Sequence, residues 1–388
     1  MFLLLEGGEL YDPIPRGVRS ILIANDRIEK IDGPGALERR TLDALAVEYE
    51  VIDARDCIVA PGLIDPHEHL LGGSGEGSPA LATPMLFIDE IVRAGVTTVV
   101  GTLGVDTTMK TMAGLLGRVK ALAEEGLSTR MWSGGYNVPP TTVLGSVRND
   151  MIFIEEVIGA GEIAISDERG LAPSAGELAT LVRDTHVGGL LSGKAGVTHF
   201  HVGEETTRLA PLRALTDEHH VKAEWLYPTH VQRNEKLADE AIALAQRGSH
   251  VDFDVVERDL ARWVSYYADH GGPMDRLTAS SDGDSSAPAI LWSQLCGLVV
   301  KHGVPLEQAL ALSTTNPAHV LDLKSKGTLA MGKDADVLVL EKQSLGIREV
   351  ISRGRRMLVN GEPIVKDNFV EKSSRKWTLV GAKHPEGL

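Results

Sequence analysis

The chain has 388 residues, 43% of them hydrophobic, which is enough for a barrel of about 250 residues and a smaller domain. A formal charge of −15 argues against nucleic acid and anionic membrane surfaces as partners. The cysteines Cys57 and Cys296 are too few for a disulfide framework and indicate a reducing compartment.

The N-terminal apolar run from Met1 to Leu5 is too short for a signal peptide and lacks a basic flank. No window of about 18 apolar residues occurs, so no transmembrane helix is expected. These features predict a cytoplasmic protein.

Both ends of the chain contain short β-branched runs separated by turn residues. Asn360-Gly361 follows one such run and is a strong hairpin signal. The runs predict one small β domain built from both chain ends, over residues 1–57 and 326–388. The predicted strands are Val18–Ile23, Ile28–Ile31, Val47–Ile52, Ala335–Leu340, Ile347–Ile351 and Met357–Val359.

Between these ends, over residues 58–325, strand-like and helix-like stretches alternate. Helix-like stretches include Ala113–Glu125, Ala175–Asp184, Glu235–Arg247 and Asp259–His270. Eight such units predict an α/β fold, a (β/α)₈ TIM-like barrel, with a doubly wound open sheet as the alternative. The predicted barrel strands are Ile58–Asp65, Val96–Gly101, Thr129–Gly135, Glu162–Ser166, Val197–Val202, Ala223–Thr229, His250–Val255 and Leu277–Ser281.

The first predicted barrel strand ends in Asp65-Pro66-His67-Glu68-His69. Residues i and i+2 of a strand project to one face, so His67 and His69 are placed to hold one ion together. Neutral imidazole is a good zinc ligand. The pair alone is weak evidence, but its place at a strand end favours a metal site.

Further polar residues lie at the ends of later strands, and in a barrel these ends converge on one mouth. Each residue alone would be read as an ordinary surface or hydrogen-bonded group, whereas the set predicts an active site. Its members are Glu162, Asp167, His199, His201, His230 and Asp282.

This pattern resembles the amidohydrolase superfamily, and within it the isoaspartyl dipeptidases. The resemblance is densest from Cys57 to about His230 and thinner from Asp252 to Asp275. It rests on motifs that include Pro61-Gly62-Leu63-Ile64-Asp65, Gly72-Gly73-Ser74-Gly75-Glu76, Ile165-Ser166-Asp167, Pro228-Thr229-His230 and Ser280-Ser281-Asp282-Gly283.

The resemblance implies two zinc ions per subunit and hydrolysis of β-aspartyl dipeptides by a metal-bridged hydroxide. His67 and His69 resemble ligands of the first metal, and His201 and His230 those of the second. Asp282 resembles a ligand that also accepts a proton, and Tyr136 resembles the group that polarises the scissile carbonyl. The residues that resemble substrate-binding groups are Glu76, Arg169, Arg233 and Ser286.

One position departs from the family. A carboxylated lysine usually bridges the metals at the end of strand four, and Glu162 stands there in this chain. Glutamate is shorter, so the backbone must approach the metals more closely. Gly161 and one inserted residue would permit this approach, since glycines and bulges allow it. We expect Glu162 to bridge, and the alternative is a site with one metal.

Other readings of the function remain open. A different amidohydrolase would act on a cyclic amide or an N-acyl amino acid, but such cyclic substrates have no α-ammonium for Glu76 to bind. A non-catalytic binding protein would have no need of the ligand set. The resemblance also implies a homo-oligomer with a small-molecule dipeptide substrate.

Overall fold

The computed structural model describes residues 2–33, 39–44, 46–284 and 287–374. The strands are β1 (Phe2–Asp12), β2 (Ile14–Ala24), β3 (Arg27–Asp32), β4 (Tyr49–Asp53), β5 (Cys57–Pro61), β6 (Leu63–Glu68), β7 (Val96–Gly101), β8 (Ser128–Ser133), β9 (Val157–Ile165), β10 (Val197–Val202), β11 (Leu226–Thr229), β12 (Val251–Asp254), β13 (Leu277–Ser280), β14 (Val337–Glu341), β15 (Ile347–Ser352), β16 (Arg355–Val359) and β17 (Glu362–Pro363).

The α-helices are α1 (Arg39–Ala44), α2 (Ile88–Arg93), α3 (Met112–Glu125), α4 (Val147–Phe153), α5 (Ala175–Ser192), α6 (Ala210–Asp217), α7 (Glu235–Gln246), α8 (Leu260–Asp269), α9 (Ala289–Val300), α10 (Leu306–Ala311), α11 (Thr315–Val320) and α12 (Asn368–Lys372). None of these described helices combines the length and the apolar character that crossing a membrane requires.

Both ends of the chain form one mixed sheet, so the prediction of a small β domain from both ends is confirmed. Its order is β17-β16-β15-β14-β5-β1-β2-β3, with β4 parallel to β1. The two ends of the chain meet where β5 pairs antiparallel with β14. The Asn360-Gly361 hairpin is also present, since Val359 pairs with Glu362 across a two-residue turn.

The apolar run at the N-terminus lies in β1, a strand that is absent from the strands predicted from the sequence. Leu3 and Leu5 are buried in the core of the small sheet. Hydrogen bonds to both β2 and β4 satisfy the backbone of β1. Its apolar character therefore comes from an interior position in the sheet.

The parallel strands β6 to β13 follow chain order around a barrel, which confirms the predicted fold class. Strands β6 to β11 form one hydrogen-bonded sheet and β12 pairs with β13. A parallel bridge between Glu68 and Gly283 joins the last strand region to the first. Their carboxyl ends therefore surround one mouth.

The strand predicted over Ile58–Asp65 is wrong, because the structure has two strands there. Strand β5 pairs with β1 and β14 in the small sheet, and β6 begins the barrel. Gly62 separates them, and a Cβ at this position would lie 2.3 Å from Thr97 Oγ1. The small sheet thus extends to Pro61, past the predicted division at residue 57.

The amino-terminal end of the barrel is apolar. Ile64, Val100 and Ile158 point into one buried cluster with Val320 and Leu321, which come from α11 and the residue after it. This helix therefore covers the floor of the barrel. The polar strand ends lie at the opposite end.

Candidate active site

His67 and His69 come from the end of β6, and their side chains meet the carboxylate of Asp282, which follows β13. Asp282 Oδ1 lies 3.3 Å from His67 Nε2 and 3.2 Å from His69 Nε2. Burial alone would raise the pKa of Asp282, but its close contacts with His67 and His69 hold the pKa well below the ordinary value. This carboxylate is therefore ionised in the site.

Glu162 enters the site from a β-bulge in β9. Thr198 pairs with Ala160 and Phe200 with Ile163, so two residues of β9 lie opposite His199 alone. Gly161 has a φ of +151°, and a Cβ there would lie 2.8 Å from His199 Cβ. Only glycine fits this close approach, which brings the short Glu162 side chain inward.

The Glu162 carboxylate lies among four histidines. Oε1 is 3.6 Å from His69 Nε2, and Oε2 is 3.6 Å from His67 Nε2 and 3.1 Å from His201 Nδ1. Oε2 also lies 3.9 Å from His230 Nε2. Burial raises the pKa of Glu162, but the neighbouring histidines outweigh burial and hold it far below its usual range.

His230 is oriented by Asp254 at the end of β12. Its Nδ1 lies 2.8 Å from Asp254 Oδ2, which also accepts a hydrogen bond of 2.6 Å from Gln232 Nε2. A carboxylate on one imidazole nitrogen leaves the other nitrogen for a metal. Both His230 and Asp282 adopt left-handed backbone conformations, with φ of 61° and 48°. Such strained residues occur mainly at functional sites.

His201 makes several polar contacts around its ring. Nε2 lies 3.0 Å from Asp167 Oδ2 and 3.0 Å from Arg169 Nη2. The Tyr136 hydroxyl lies 2.9 Å from His201 Nδ1. Burial raises the pKa of Tyr136 well above the ordinary value, and the Glu162 charge adds to this. The phenol is therefore a hydrogen-bond donor.

Among the described residues, the ligand atoms form two groups compact enough to hold a metal ion, namely His67, His69 and Asp282, and His67, Glu162 and His230. His201 belongs to neither group; its Nε2 contacts Asp167, whereas its Nδ1 lies 3.1 Å from Glu162 Oε2. His67 Nε2 and Glu162 Oε1 are buried and have no hydrogen-bond partner among the described residues. Imidazole and carboxylate donors with unused lone pairs fit divalent zinc.

The rim of the site carries an ion pair between two predicted substrate-binding residues. Arg169 Nη1 lies 2.8 Å from Glu76 Oε1, and the same guanidinium binds Asp167 through Nε and Nη2 at 2.9 and 2.7 Å. The Glu76 side chain is 56% exposed and that of Arg169 is 32% exposed. Asp167 holds Arg169 in place, whereas Glu76 is free to exchange partners.

Arg233, also predicted to bind substrate, lines a cavity of about 180 Å³ together with His230 and Asp282. Its Nε donates to Val202 O at 3.0 Å, and Nη1 is 3.4 Å from exposed Glu204. Trp263 and Arg262 from α8 also line this cavity. Ser286 lies outside the described residues.

Two functional positions were missed or left without a role by the sequence reading. Asp254 ends β12 two residues after Asp252, a strand-end signal like the one that identified His67 and His69. The sequence identifies His199 only as a polar residue near a strand end, whereas its Nε2 lies 2.7 Å from His67 Nδ1 in the structure. The pairing of Asp254 with His230 and of His199 with His67 joins distant parts of the chain, so no local sequence pattern predicts it.

A parallel barrel with buried histidines and carboxylates at its carboxyl mouth defines a class of metal-dependent hydrolases. The family model described as "Amidohydrolase family" matches residues 174–371. The chain belongs to this family, as the sequence predicted.

Two solved structures have closely similar folds. A β-aspartyl dipeptidase from Fervidobacterium islandicum AW-1 has a TM-score of 0.88 and 36% identity, covering 94% of this chain and 98% of that chain. The same kind of enzyme from that organism, in complex with a β-Asp-Leu dipeptide, has a TM-score of 0.87 and 34% identity with the same coverage.

Curated relatives are more distant. An adenine deaminase from Halalkalibacterium halodurans is 23% identical over 94% of this chain, and the chain spans 58% of its length. An imidazolonepropionase from a Ruegeria species is 25% identical, covering 74% of this chain and 79% of that protein.

Proposed function

We propose that this protein hydrolyses isoaspartyl (β-aspartyl) dipeptides. One observation carries the proposal, which is the Arg169–Glu76 ion pair at 2.8 Å on the rim of a buried histidine–carboxylate cluster. Such a dipeptide presents an α-ammonium and carboxylates, the opposite charges to Glu76 and Arg169. The similarity to an enzyme bound to β-Asp-Leu supports the same substrate class.

The proposed metal content is two zinc ions per subunit. The first would be held by His67, His69 and Asp282, and the second by His201 and His230, with Glu162 between them. When bound, two divalent ions supply Lewis acidity that generates a nucleophile from water at neutral pH and polarises a carbonyl. His201 would bind through Nδ1, which lies 3.1 Å from Glu162 Oε2, while Asp167 orients the ring through Nε2.

Asp282 and Tyr136 have separate proton roles in this scheme. Ionised Asp282 accepts the proton that the attacking water loses and delivers it to the leaving amine. Tyr136 keeps its proton and donates a hydrogen bond to the carbonyl oxygen as charge develops there. Its hydroxyl lies 2.9 Å from His201 Nδ1, beside the proposed second metal position.

The second residue of the dipeptide is assigned to the cavity beside His230. Arg233 lines this space, where its guanidinium would pair with the carboxylate of the leaving residue. Ser286 was predicted to assist from the loop after Asp282, and this role stays a prediction. Trp263 provides the apolar part of the wall.

The deciding experiment is a substrate panel with zinc-loaded protein, comparing β-Asp-Leu, α-Asp-Leu, a hydantoin, an N-acetyl amino acid and adenine. The last three test the alternative amidohydrolase functions, and adenine is included because of the deaminase relative. We expect β-Asp-Leu to be cleaved and α-Asp-Leu to be at least a hundredfold poorer. Preferential turnover of a cyclic amide or of adenine would refute the dipeptidase assignment.

The assembly and compartment are also proposals. Exposed Phe153 at the end of α4 and exposed Leu190 and Leu191 near the end of α5 support a homo-oligomer. Light scattering on the purified protein measures this directly. The free cysteines Cys57 and Cys296 support a reducing cytoplasm, which fractionation of cells would test.

A further inference from the structure

His199 lies one layer below the metal-binding side chains, on β10, and is fully buried. Its Nε2 is 2.7 Å from His67 Nδ1, and its Nδ1 is 2.9 Å from the backbone carbonyl of Tyr227. The two imidazoles and the carbonyl therefore form a chain of hydrogen bonds that ends at a metal-binding residue.

The direction of this chain follows from its last member. A carbonyl oxygen only accepts, so His199 Nδ1 carries a hydrogen and donates it to Tyr227. In a neutral ring, Nε2 is then an acceptor, and His67 Nδ1 has to be the donor across the 2.7 Å contact. His67 Nε2 is left as the nitrogen whose lone pair can bind a metal.

That nitrogen is the one that faces the site. His67 Nε2 lies 3.3 Å from Asp282 Oδ1 and 3.6 Å from Glu162 Oε2. It is buried and has no hydrogen-bond partner in the part of the chain that the structure describes. We infer that His199 is a positioning residue that sets the tautomer and ring orientation of His67 for metal binding.

The surroundings of His199 hold its ring in one orientation. Trp132 stacks on it with ring centroids 4.9 Å apart and planes inclined by 17°. The same indole donates from Nε1 to Pro66 O at 3.1 Å, next to His67 in the chain. Trp132 thus fixes both the ring of His199 and the strand that carries His67.

This arrangement differs from the support of His230, whose Nδ1 is held by the carboxylate of Asp254. His199 is a neutral acceptor, so it orients His67 without adding negative charge to a site that already contains Glu162 and Asp282. The inference rests on the metal site of the proposed function but not on its substrate.

Two variants separate hydrogen bonding from packing. His199→Phe keeps an aromatic ring on Trp132 but offers no acceptor to His67. His199→Gln loses the ring but places an amide oxygen near the position of Nε2. Zinc affinity of the full chain is measured by competition with a chromogenic chelator, together with the melting temperature of the metal-free protein as a fold control.

We expect His199→Phe to weaken zinc binding by about 10–100-fold, and His199→Gln by only a few fold. Equal or reversed losses would mean that His199 acts through packing and would overturn the inference. Failure of wild-type protein to bind zinc would remove the metal site as well, whereas a negative result in the substrate panel alone would leave this inference intact.

A second measurement covers the case in which a variant fails to fold. Nitrogen-15 spectra of wild-type, zinc-loaded protein report which nitrogen of each histidine carries a hydrogen. A protonated Nδ1 on His67 and an unprotonated Nε2 on His199 support the inference. An unprotonated Nδ1 on His67 contradicts it.

Discussion

The two ends of the barrel are built from the same strands but have opposite character. At the amino-terminal end, Ile64 and Ile158 pack against Leu321. At the carboxyl end, His67 and Glu162, from two of the same strands, lie among charged groups. The difference teaches that a barrel can concentrate strained, charged groups at one end because the other end supplies apolar burial.

The largest expected effect is at the charged end. Glu162→Gln keeps the shape of the side chain but replaces a carboxylate with a neutral amide among four histidines. We expect zinc content to fall by at least one ion per chain, and kcat by about a thousandfold or more. Elemental analysis and steady-state kinetics measure both, and full zinc content in this variant would exclude Glu162 as a ligand.

A matched experiment tests how Glu162 differs from a carboxylated lysine. Glutamate is already a carboxylate, so stripped protein should regain activity with zinc alone and without bicarbonate. Glu162→Lys should stay inactive even with bicarbonate, because the bulge at Gly161 has moved the backbone inward. Rescue of Glu162→Lys by bicarbonate would contradict this reading of the bulge.

The next effect concerns Tyr136, which is also at the charged end. Tyr136→Phe removes one hydrogen-bond donor and leaves the buried ring in place. We expect kcat to fall by about 100-fold with little change in KM, since the lost interaction strengthens only as charge develops on the substrate oxygen. A rise in KM at constant kcat would instead assign Tyr136 to substrate binding.

At the apolar end, Leu321→Ala should destabilise the fold without changing the chemistry. Leu321 is buried against Val320 and Ile64, and removing such a side chain costs about 2–5 kcal/mol. Urea unfolding measures this loss, while kcat per folded molecule should stay unchanged. A large loss of kcat in fully folded protein would show that the two ends are not independent.

A smaller effect is expected on the rim. Arg169→Ala removes one charged partner of the substrate, and we expect KM to rise about 10–100-fold with a lesser change in kcat. Arg169→Lys should recover part of this loss, since it keeps the charge but not the two-pronged contact with Asp167. Unchanged kinetics in Arg169→Ala would show that Arg169 does not bind the substrate.

The smallest effect is a pH dependence at the apolar end. Burial, with Arg276 and His319 nearby, lowers the pKa of His250 to about 3. The folded state thus favours neutral His250. Burial of this neutral imidazole makes its full contribution to the free energy of unfolding above the unfolded-state pKa near 6.5, and the contribution is lost as the pH falls toward 3.

The variant His250→Gln should therefore show a shallower loss of unfolding free energy between pH 6.5 and 4.5 than the wild type. One proton corresponds to about 1.4 kcal/mol per pH unit at most. His302→Gln, at an exposed position, is the control and should leave the slope unchanged. Equal slopes in all three proteins would show that His250 is not neutral by burial.

Much of this contrast could be predicted from the sequence. Alternation of strand and helix predicted the barrel, and the i, i+2 spacing of His67 and His69 placed them together. The division between β5 and β6 was not predictable from hydrophobicity, because both strands are fully buried and the apolar stretch from Cys57 to Ile64 spans the boundary. Their different pairing partners and the close packing of Gly62 against Thr97 separate them.

Contacts between distant elements were the least predictable part of the site. The pairing of Arg169 with Glu76, and of His67 with His199, depends on the register of strands and loops that no local pattern records. Asp254 lay in the stretch with the thinnest resemblance to the family. The sequence shows which kind of side chain stands at each position, but it does not show which distant residue that side chain contacts.

The pairing of β5 with β14 also has a consequence for how this protein is made. On the ribosome, β5 emerges long before β14, so one edge of the first sheet stays open while the whole barrel is being synthesised. An open, apolar strand edge invites pairing with other nascent chains. Truncated products that stop before Val337 should therefore aggregate, and chaperones that shield strand edges should matter most during this interval.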